Sequence, residues 1–267
     1  MTTPGAGSSR RFSTRPRRPR EPFRRVITIL PVEGLPEIVP GDDLGALIAA
    51  ASDLEAGDVV VVAQKAVSKA EGRIVHLDEV EPSRRARELA GPETDLRQLE
   101  VILRETARIV RSRGGLVIAE TRHGFVCASA GVDHSNAADA WTVILLPFDS
   151  DASARRIRAS LADLTGLDLA VIVTDSFGRP FRRGTTDVAI GVSGLAPLRD
   201  LRGTPDRRGS LLRTSQVAVA DEIASSADLV RVSKADGIPV VIVRGVEIEA
   251  DGAATDLVIP ADRDLFR

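Results

Sequence analysis

Leu169-Ala170-Val171-Ile172-Val173-Thr174-Asp175-Ser176-Phe177-Gly178-Arg179-Pro180-Phe181-Arg182-Arg183-Gly184-Thr185-Thr186-Asp187 joins an apolar run to a polar, glycine- and arginine-rich segment. The run from Leu169 to Val173 reads as a buried strand, so Asp175 and Ser176 stand where that strand runs out. Two glycines and three arginines occupy the nine residues after Asp175. A carboxylate beside a hydroxyl suits a hard cation such as Mg2+. Arginine's planar fork grips phosphate or carboxylate, and glycine lets backbone N–H groups close on an anion. The segment is a candidate for holding a metal and an anionic ligand together. A hairpin loop with surface arginines is the alternative reading of the same residues.

Outward from this stretch, Asp58-Val59-Val60-Val61-Val62-Ala63 is a β-branched run and predicts a second strand buried on both faces. Further strands are expected at Val26 to Leu30, Leu116 to Glu120, Phe125 to Ala128, Val143 to Leu146, Val188 to Val192, Pro239 to Val243 and Leu257 to Ile259. Asp42 or Asp43 can cap a helix that starts near Leu44, with Leu44, Leu47, Ile48 and Ala51 facing the core. Pro82 to Ala90 and Thr94 to Arg111 are expected helices, the second with the stripe Leu96, Leu99, Leu103, Ala107 and Val110. Asp151 to Leu164 and Ser215 to Val230 complete the helices. Strands and helices mix without a strict βαβ rhythm. The expected fold class is therefore mixed α/β of the α+β kind, not a simple doubly wound sheet.

Composition narrows the function. The chain has 267 residues, of which 43% are hydrophobic and 3% aromatic, with no tyrosine. Its core must rest on aliphatic side chains, and stacking-based recognition of single strands is disfavoured. One cysteine, Cys127, cannot form an intrachain disulfide, which fits a reducing, cytoplasmic setting. No apolar run approaches the ~18 residues that a bilayer span needs. His76, His123 and His134 are too dispersed for a zinc motif. Residues 1–25 carry eight arginines against one glutamate, a balance of +7, which leaves −9 on the rest of a chain of net charge −2. This tail reads as a disordered basic extension, and Arg10-Arg11 lacks the apolar segment of a twin-arginine signal. Nucleic-acid binding would have to run through the tail alone, and the acidic remainder opposes it.

Neither a P-loop nor a strand-borne G-x-G-x-x-G occurs, and G-x-S-x-G is absent. Two other segments carry chemistry. Gln64, Lys65 and Lys69 follow the valine strand, where the lysines can point at phosphates; surface lysines are the alternative. Ala130-Gly131-Val132-Asp133-His134-Ser135-Asn136 is a polar loop in which Asp133 can ligate a cation and Asn136 can bond a ribose, phosphate or base. Ordinary turn chemistry explains the same residues. Together with Arg179, Arg182 and Arg183, these groups make the inventory for a nucleoside triphosphate with Mg2+ or Mn2+.

Several segments stand in one order: Leu30-Pro31-Val32-Glu33-Gly34-Leu35-Pro36-Glu37-Ile38, Gly41-Asp42-Asp43-Leu44, Gly57 to Val62, Val67-Ser68-Lys69-Ala70-Glu71-Gly72-Arg73, Ala130-Gly131-Val132-Asp133 with Ser135-Asn136, Thr174-Asp175-Ser176 with Gly178-Arg179, and Ala218 to Ala224. In these the chain resembles the coenzyme F-420:L-glutamate ligases, over roughly residues 26–267. The resemblance implies GTP-dependent addition of L-glutamate to a deazaflavin precursor through an acyl phosphate, with one or more gamma-linked glutamates as product. It implies GTP contacts at Leu35, Pro36, Glu37, Ile38, Gln64, Lys69 and Asn136, to which charge adds Lys65. It implies a metal held by Asp133 and Asp175, a second helped by Ser176, and a requirement for K+. Asp175 thus belongs to the catalytic set, to which charge adds Arg182 and Arg183 as grips for anionic substrate or phosphate.

The resemblance departs at Arg231-Val232-Ser233-Lys234-Ala235-Asp236-Gly237-Ile238, a nucleotide loop in which Ser233 stands where an archaeal member carries a metal-binding glutamate. Asp236 as a substitute ligand, Lys234 as a substitute charge, and a weak second site are the three readings. An intertwined homodimer is implied, with interlocked unlike subdomains near 26–139 plus 229–267 and 140–228. Because the chain ends at Arg267, ligase activity is expected without the nitroreductase-like domain fused to mycobacterial members. A metal-dependent phosphohydrolase using Asp133 and Asp175, and a nucleic-acid binder working through the tail, are the rival readings.

Overall fold

The computed structural model of the protein describes residues 26–135, 137, 139–231, 237–248 and 251–265. The expected tail at 1–25 lies outside these, as do the expected contacts Asn136, Ser233, Lys234 and Asp236. The fold is α+β. In chain order its elements are β1 (Thr28–Pro31), α1 (Leu44–Ala51), β2 (Val59–Ala63), α2 (Gln64–Ala70), β3 (Ile74–His76), α3 (Arg84–Leu89), α4 (Leu96–Glu105), β4 (Thr106–Arg113), β5 (Leu116–Thr121), β6 (Val126–Ala128), β7 (Thr142–Ile144), α5 (Ser150–Thr165), β8 (Ala170–Gly178), β9 (Thr185–Ser193), β10 (Arg199–Asp200), β11 (Gln216–Val217), α6 (Val219–Asp228) and β12 (Val240–Arg244).

A five-stranded sheet in the order β1-β12-β2-β8-β9 organises the larger core. The two apolar runs meet at its centre, where β2 and β8 pair in parallel, Val59 opposite Ala170 through Ala63 opposite Thr174. Val59, Val60, Val61 and Val62 are fully buried, as their β-branched pattern requires. Helices α1, α5 and α6 supply Leu44, Ile48, Leu161, Ala220 and Ile223 to this core. Asp43 caps α1 by accepting from Ala46 N–H at 3.2 Å. The sheet draws strands from both of the expected subdomain ranges. A second cluster, including Leu77, Leu99, Ile102, Val117, Val132 and Val143, lies under α3, α4 and β5.

Four expectations need correction. The helix expected to Arg111 stops at Glu105, and Thr106–Arg113 is β4, paired with β5. Thr106, Ile109 and Val110 are β-branched and lose side-chain freedom in a helix, and β5 offers their backbone a long-range partner. Ala107 and Val110 therefore leave the helical stripe. The segment from Ser215 begins with β11, and its helix starts only at Val219. Leu257 to Ile259 is no strand: Ala254–Leu257 forms a 3-10 turn, and no described strand pairs there. The strand from Leu169 does not end before Asp175 but runs to Gly178, so Asp175 and Ser176 lie within a long β8–β9 hairpin. Pairing Asp175 with Val188 and Ser176 with Asp187 satisfies backbone groups that a loop would leave to water.

Candidate active site

Asp133 is presented by an unusual backbone. Ser129, Ala130 and Gly131 have consecutive positive φ values of 54°, 50° and 74°, two of them at residues with side chains. Such strain persists where the surroundings over-determine it. The chain then straightens, and Asp133 forms a backbone bridge to Ile144 with N–O distances of 3.0 and 2.9 Å. Ser135 donates its N–H to Asp133 Oδ1 at 2.7 Å and its hydroxyl to Oδ2 at 2.9 Å. Lys65 Nζ closes the set at 2.8 Å from Oδ2. Burial would raise the Asp133 carboxyl, but Lys65 and both Ser135 donors outweigh it and hold the group below the usual range.

Asp175 is in the opposite condition. Burial pushes its carboxyl up to about 7, against the pull of the Lys65 ammonium and of the Ser176 N–H, and the charges of Asp133 and Asp187 raise it further. Lys65 is therefore the cation that serves both carboxylates. Burial, helped by the Asp175 charge, pushes the Cys127 thiol on β6 up to about 12, so it stays protonated and is no nucleophile.

A second polar cluster lies on the other face of β8, because strand side chains alternate. Thr174 donates to Asp187 Oδ2 at 3.1 Å and Ser176 to Asp187 Oδ1 at 2.6 Å. Arg231 Nη1 donates to Asp187 Oδ2 at 2.8 Å, and Arg231 Nη2 reaches the Val61 and Pro239 carbonyls at 3.2 and 3.4 Å. A register shift between Val173 and Thr174 sets this geometry, and Asp221 on α6 accepts the Ala189 N–H beside it at 2.9 Å. Asp187 and Arg231 had no role assigned from the sequence. The available signal was a second acid in the hairpin, opposite Ser176 only once the register is known.

The expected nucleotide contacts are spread unevenly. Leu35, Pro36, Glu37 and Ile38 form the connection from β1 to α1; the side chain of Ile38 is in the core, while Pro36 and Glu37 are exposed. Lys69 Nζ lies 2.5 Å from Glu37 Oε1, which joins this connection to α2. Gln64 is turned inward: Nε2 donates to Ser68 Oγ at 2.6 Å and to the Leu145 carbonyl at 2.8 Å, and Oε1 has no partner among the described residues. Arg182 and Arg183 are exposed in the turn of the β8–β9 hairpin, where Arg179 Nη2 donates to the Arg183 carbonyl at 3.0 Å.

The donor chemistry fits a hard divalent cation. Asp133 is a fixed oxygen donor and Asp175 a buried one, and Lys65 only partly balances their combined charge. Among the described residues no group of three or more His, Cys, Asp or Glu is arranged to hold a metal. The chain thus offers two carboxylates and leaves other positions to water and ligand oxygens, as Mg2+ prefers. No described helix is long and apolar enough to cross a membrane.

Comparison with known proteins gives the family of the chain. The sequence pattern of F420-0:Gamma-glutamyl ligase matches residues 34–245. Coenzyme F420:L-glutamate ligase of Methanothermobacter thermautotrophicus is 44% identical over 252 residues, which cover 90% of this chain and 99% of that protein. The Methanopyrus kandleri protein of the same name is 46% identical over 247 residues, 90% of this chain and 98% of its own. The Archaeoglobus fulgidus one is 39% identical over 244 residues, 90% and 96%. The chain belongs to the F420-0:gamma-glutamyl ligase family, and so to the ligases.

Proposed function

We propose that this ligase joins L-glutamate to the deazaflavin precursor of coenzyme F-420 at the expense of GTP. The observation that carries the reading is the Lys65–Asp133–Asp175 cluster at the end of the central β2–β8 pair, in a chain that matches the family over most of its length. A carboxylate does not condense with an amine unaided. An oxygen of the precursor's terminal carboxylate attacks the γ-phosphorus of GTP, the bond to the β-phosphate oxygen breaks, and GDP leaves. The glutamate amine then attacks the acyl phosphate carbon, the C–O bond breaks, phosphate leaves, and the amine proton passes to solvent. Later rounds extend the chain through the new gamma-carboxylate.

Each group has a part in this reading. Asp133 and Asp175 would hold Mg2+ or Mn2+; the second-ion part that resemblance gives Ser176 falls to its backbone, because its hydroxyl is turned to Asp187 on the opposite face. Such ions neutralise the triphosphate and the transferred phosphoryl group. Lys65, Lys69, Glu37 and Pro36 contact the nucleotide, with Leu35, Asn136 and residues 233–236 added by resemblance, while the Ile38 side chain stays in the core. The inward amide of Gln64 leaves it the part of bracing α2 rather than of touching phosphate directly. Arg182 and Arg183 offer charge to anionic substrate from the hairpin turn. A homodimer and K+ belong to the same proposal by resemblance alone.

The test is mass spectrometry of a reaction with GTP, Mn2+, L-glutamate and the precursor lacking glutamate. A product heavier by one or more glutamyl units, absent without GTP, supports the reading. GTP hydrolysis with no mass shift would replace it with a phosphohydrolase.

A further inference from the structure

We propose that Lys65 is an exchangeable counterion: it occupies the carboxylate pair until a divalent cation displaces it, and it then turns to the phosphates of the incoming nucleotide. The inference rests on the metal-site reading of Asp133 and Asp175 above and adds to it an order of events. Three observations carry it. Lys65 Nζ sits 2.8 Å from the Asp133 oxygen Oδ2, and its charge is also the main one opposing the burial of Asp175. One ammonium therefore stands in for the cation that those two carboxylates would otherwise share.

The fixed and movable partners are also distinguishable. Asp133 cannot follow Lys65, because Ser135 holds both of its oxygens and the bridge to Ile144 holds its backbone. The backbone of Lys65 is anchored by its neighbour Gln64, whose amide is locked to Ser68 and Leu145. Only the four-carbon stem of Lys65, with its side chain 20% exposed, is left to move. A divalent ion and an ammonium repel at the same oxygen, so the weaker-held ammonium leaves. Its reach then serves an oxygen ligand close by, and triphosphate is the anion the reaction brings there.

The exchange predicts effects of opposite sign in one variant. Lys65→Met keeps the stem and removes the charge. Mn2+ binding without nucleotide, read as free Mn2+ by electron paramagnetic resonance, should tighten on the order of tenfold, the scale set by loss of one partly buried ion pair. GTP affinity in saturating Mn2+ should fall on the order of tenfold. A lysine that only braces the loop would weaken both. As a second measurement on the wild-type protein, acetylation of the Lys65 amine, followed by peptide mass spectrometry, should speed up with Mn2+ and slow again when GTP is added. If the wild type binds Mn2+ while Lys65→Met binds it no tighter and Lys65 labelling is unmoved, the exchange is wrong and the metal site stands. If the wild type binds no Mn2+, the metal-site reading fails and the exchange fails with it.

Discussion

Arg231 Nη1 donates to Asp187 Oδ2 at 2.8 Å, and both side chains are buried, 11% and 6% exposed. The pair ties the chain just before residues 232–236 to the β8–β9 hairpin that bears Asp175 and Ser176. Burial lowers the guanidinium's hold on its proton and Asp187 opposes that, so each charge depends on the other. Removing one partner strands the other in a dry site. Arg231→Met should cost about 3–5 kcal/mol of unfolding free energy, and Arg231→Met with Asp187→Leu should recover much of it. Urea midpoints of the two variants check this. A single-variant loss well under about 1 kcal/mol would mean the pair is solvated.

Asp175 should separate chemistry from folding. Asp175→Asn keeps the shape but gives up the anionic oxygen. Ligation should fall about 10²-fold or more, roughly 3 kcal/mol of transition-state stabilisation. The thermal midpoint should not fall, because burial already disfavours the charge. Near wild-type turnover in a folded variant would remove Asp175 from the site.

The same carboxyl should make stability depend on pH. Its folded-state pKa, about 7, lies above the unfolded value near ~3.9, so the folded state holds a proton that the unfolded chain has released. The stabilisation is complete below the unfolded value and is lost as pH rises through the folded one. Without metal, wild type should lose stability relative to Asp175→Asn between about pH 4 and pH 7. Parallel stability curves for the two proteins across that window would contradict this.

Gly131 is required by the turn that presents Asp133. Its φ is 74°, and a Cβ there would lie 2.6 Å from Leu146 Cγ. Gly131→Ala should cost roughly 2 kcal/mol or more, combining left-handed strain with a core clash. Mn2+ affinity should drop along with stability, because Asp133 is displaced. A variant with unchanged unfolding midpoint would show that Leu146 gives way freely.

Lys69 is the test of the nucleotide side. Its ion pair with Glu37 at 2.5 Å ties it to the β1–α1 connection, where the expected contacts Leu35, Pro36 and Ile38 also lie. Lys69→Ala should raise KM for GTP about tenfold with kcat changed less than about threefold, the pattern of lost uniform binding. A fall in kcat with unchanged KM would move Lys69 toward the transferred phosphoryl group.

Much of the sheet was legible because burial on both faces writes itself as unbroken apolar runs. Val59 to Val62 and Ala170 to Val173 needed no partner information to be recognised as central strands. The acids at the site were legible as residue types at strand ends. Their arrangement was not: β8 continues past Asp175, and period-two alternation then sends Asp175 to one face and Ser176 to the other. Thr106–Arg113 shows the same limit. Its apolar spacing extends the α4 stripe, and only pairing with β5 makes it a strand.

The sequence by itself determined the buried strands, the caps and the supply of carboxylates, lysines and arginines, because hydrophobic periodicity and side-chain chemistry are local properties. Only the tertiary structure decided that Lys65 meets Asp133, that Asp187 and not a loop oxygen receives Ser176, and that Arg231 is buried against them. Those contacts join residues 68, 11 and 44 positions apart. Their partners are chosen by sheet register and by the cost of leaving a buried charge alone, and neither is written in the neighbourhood of any one residue.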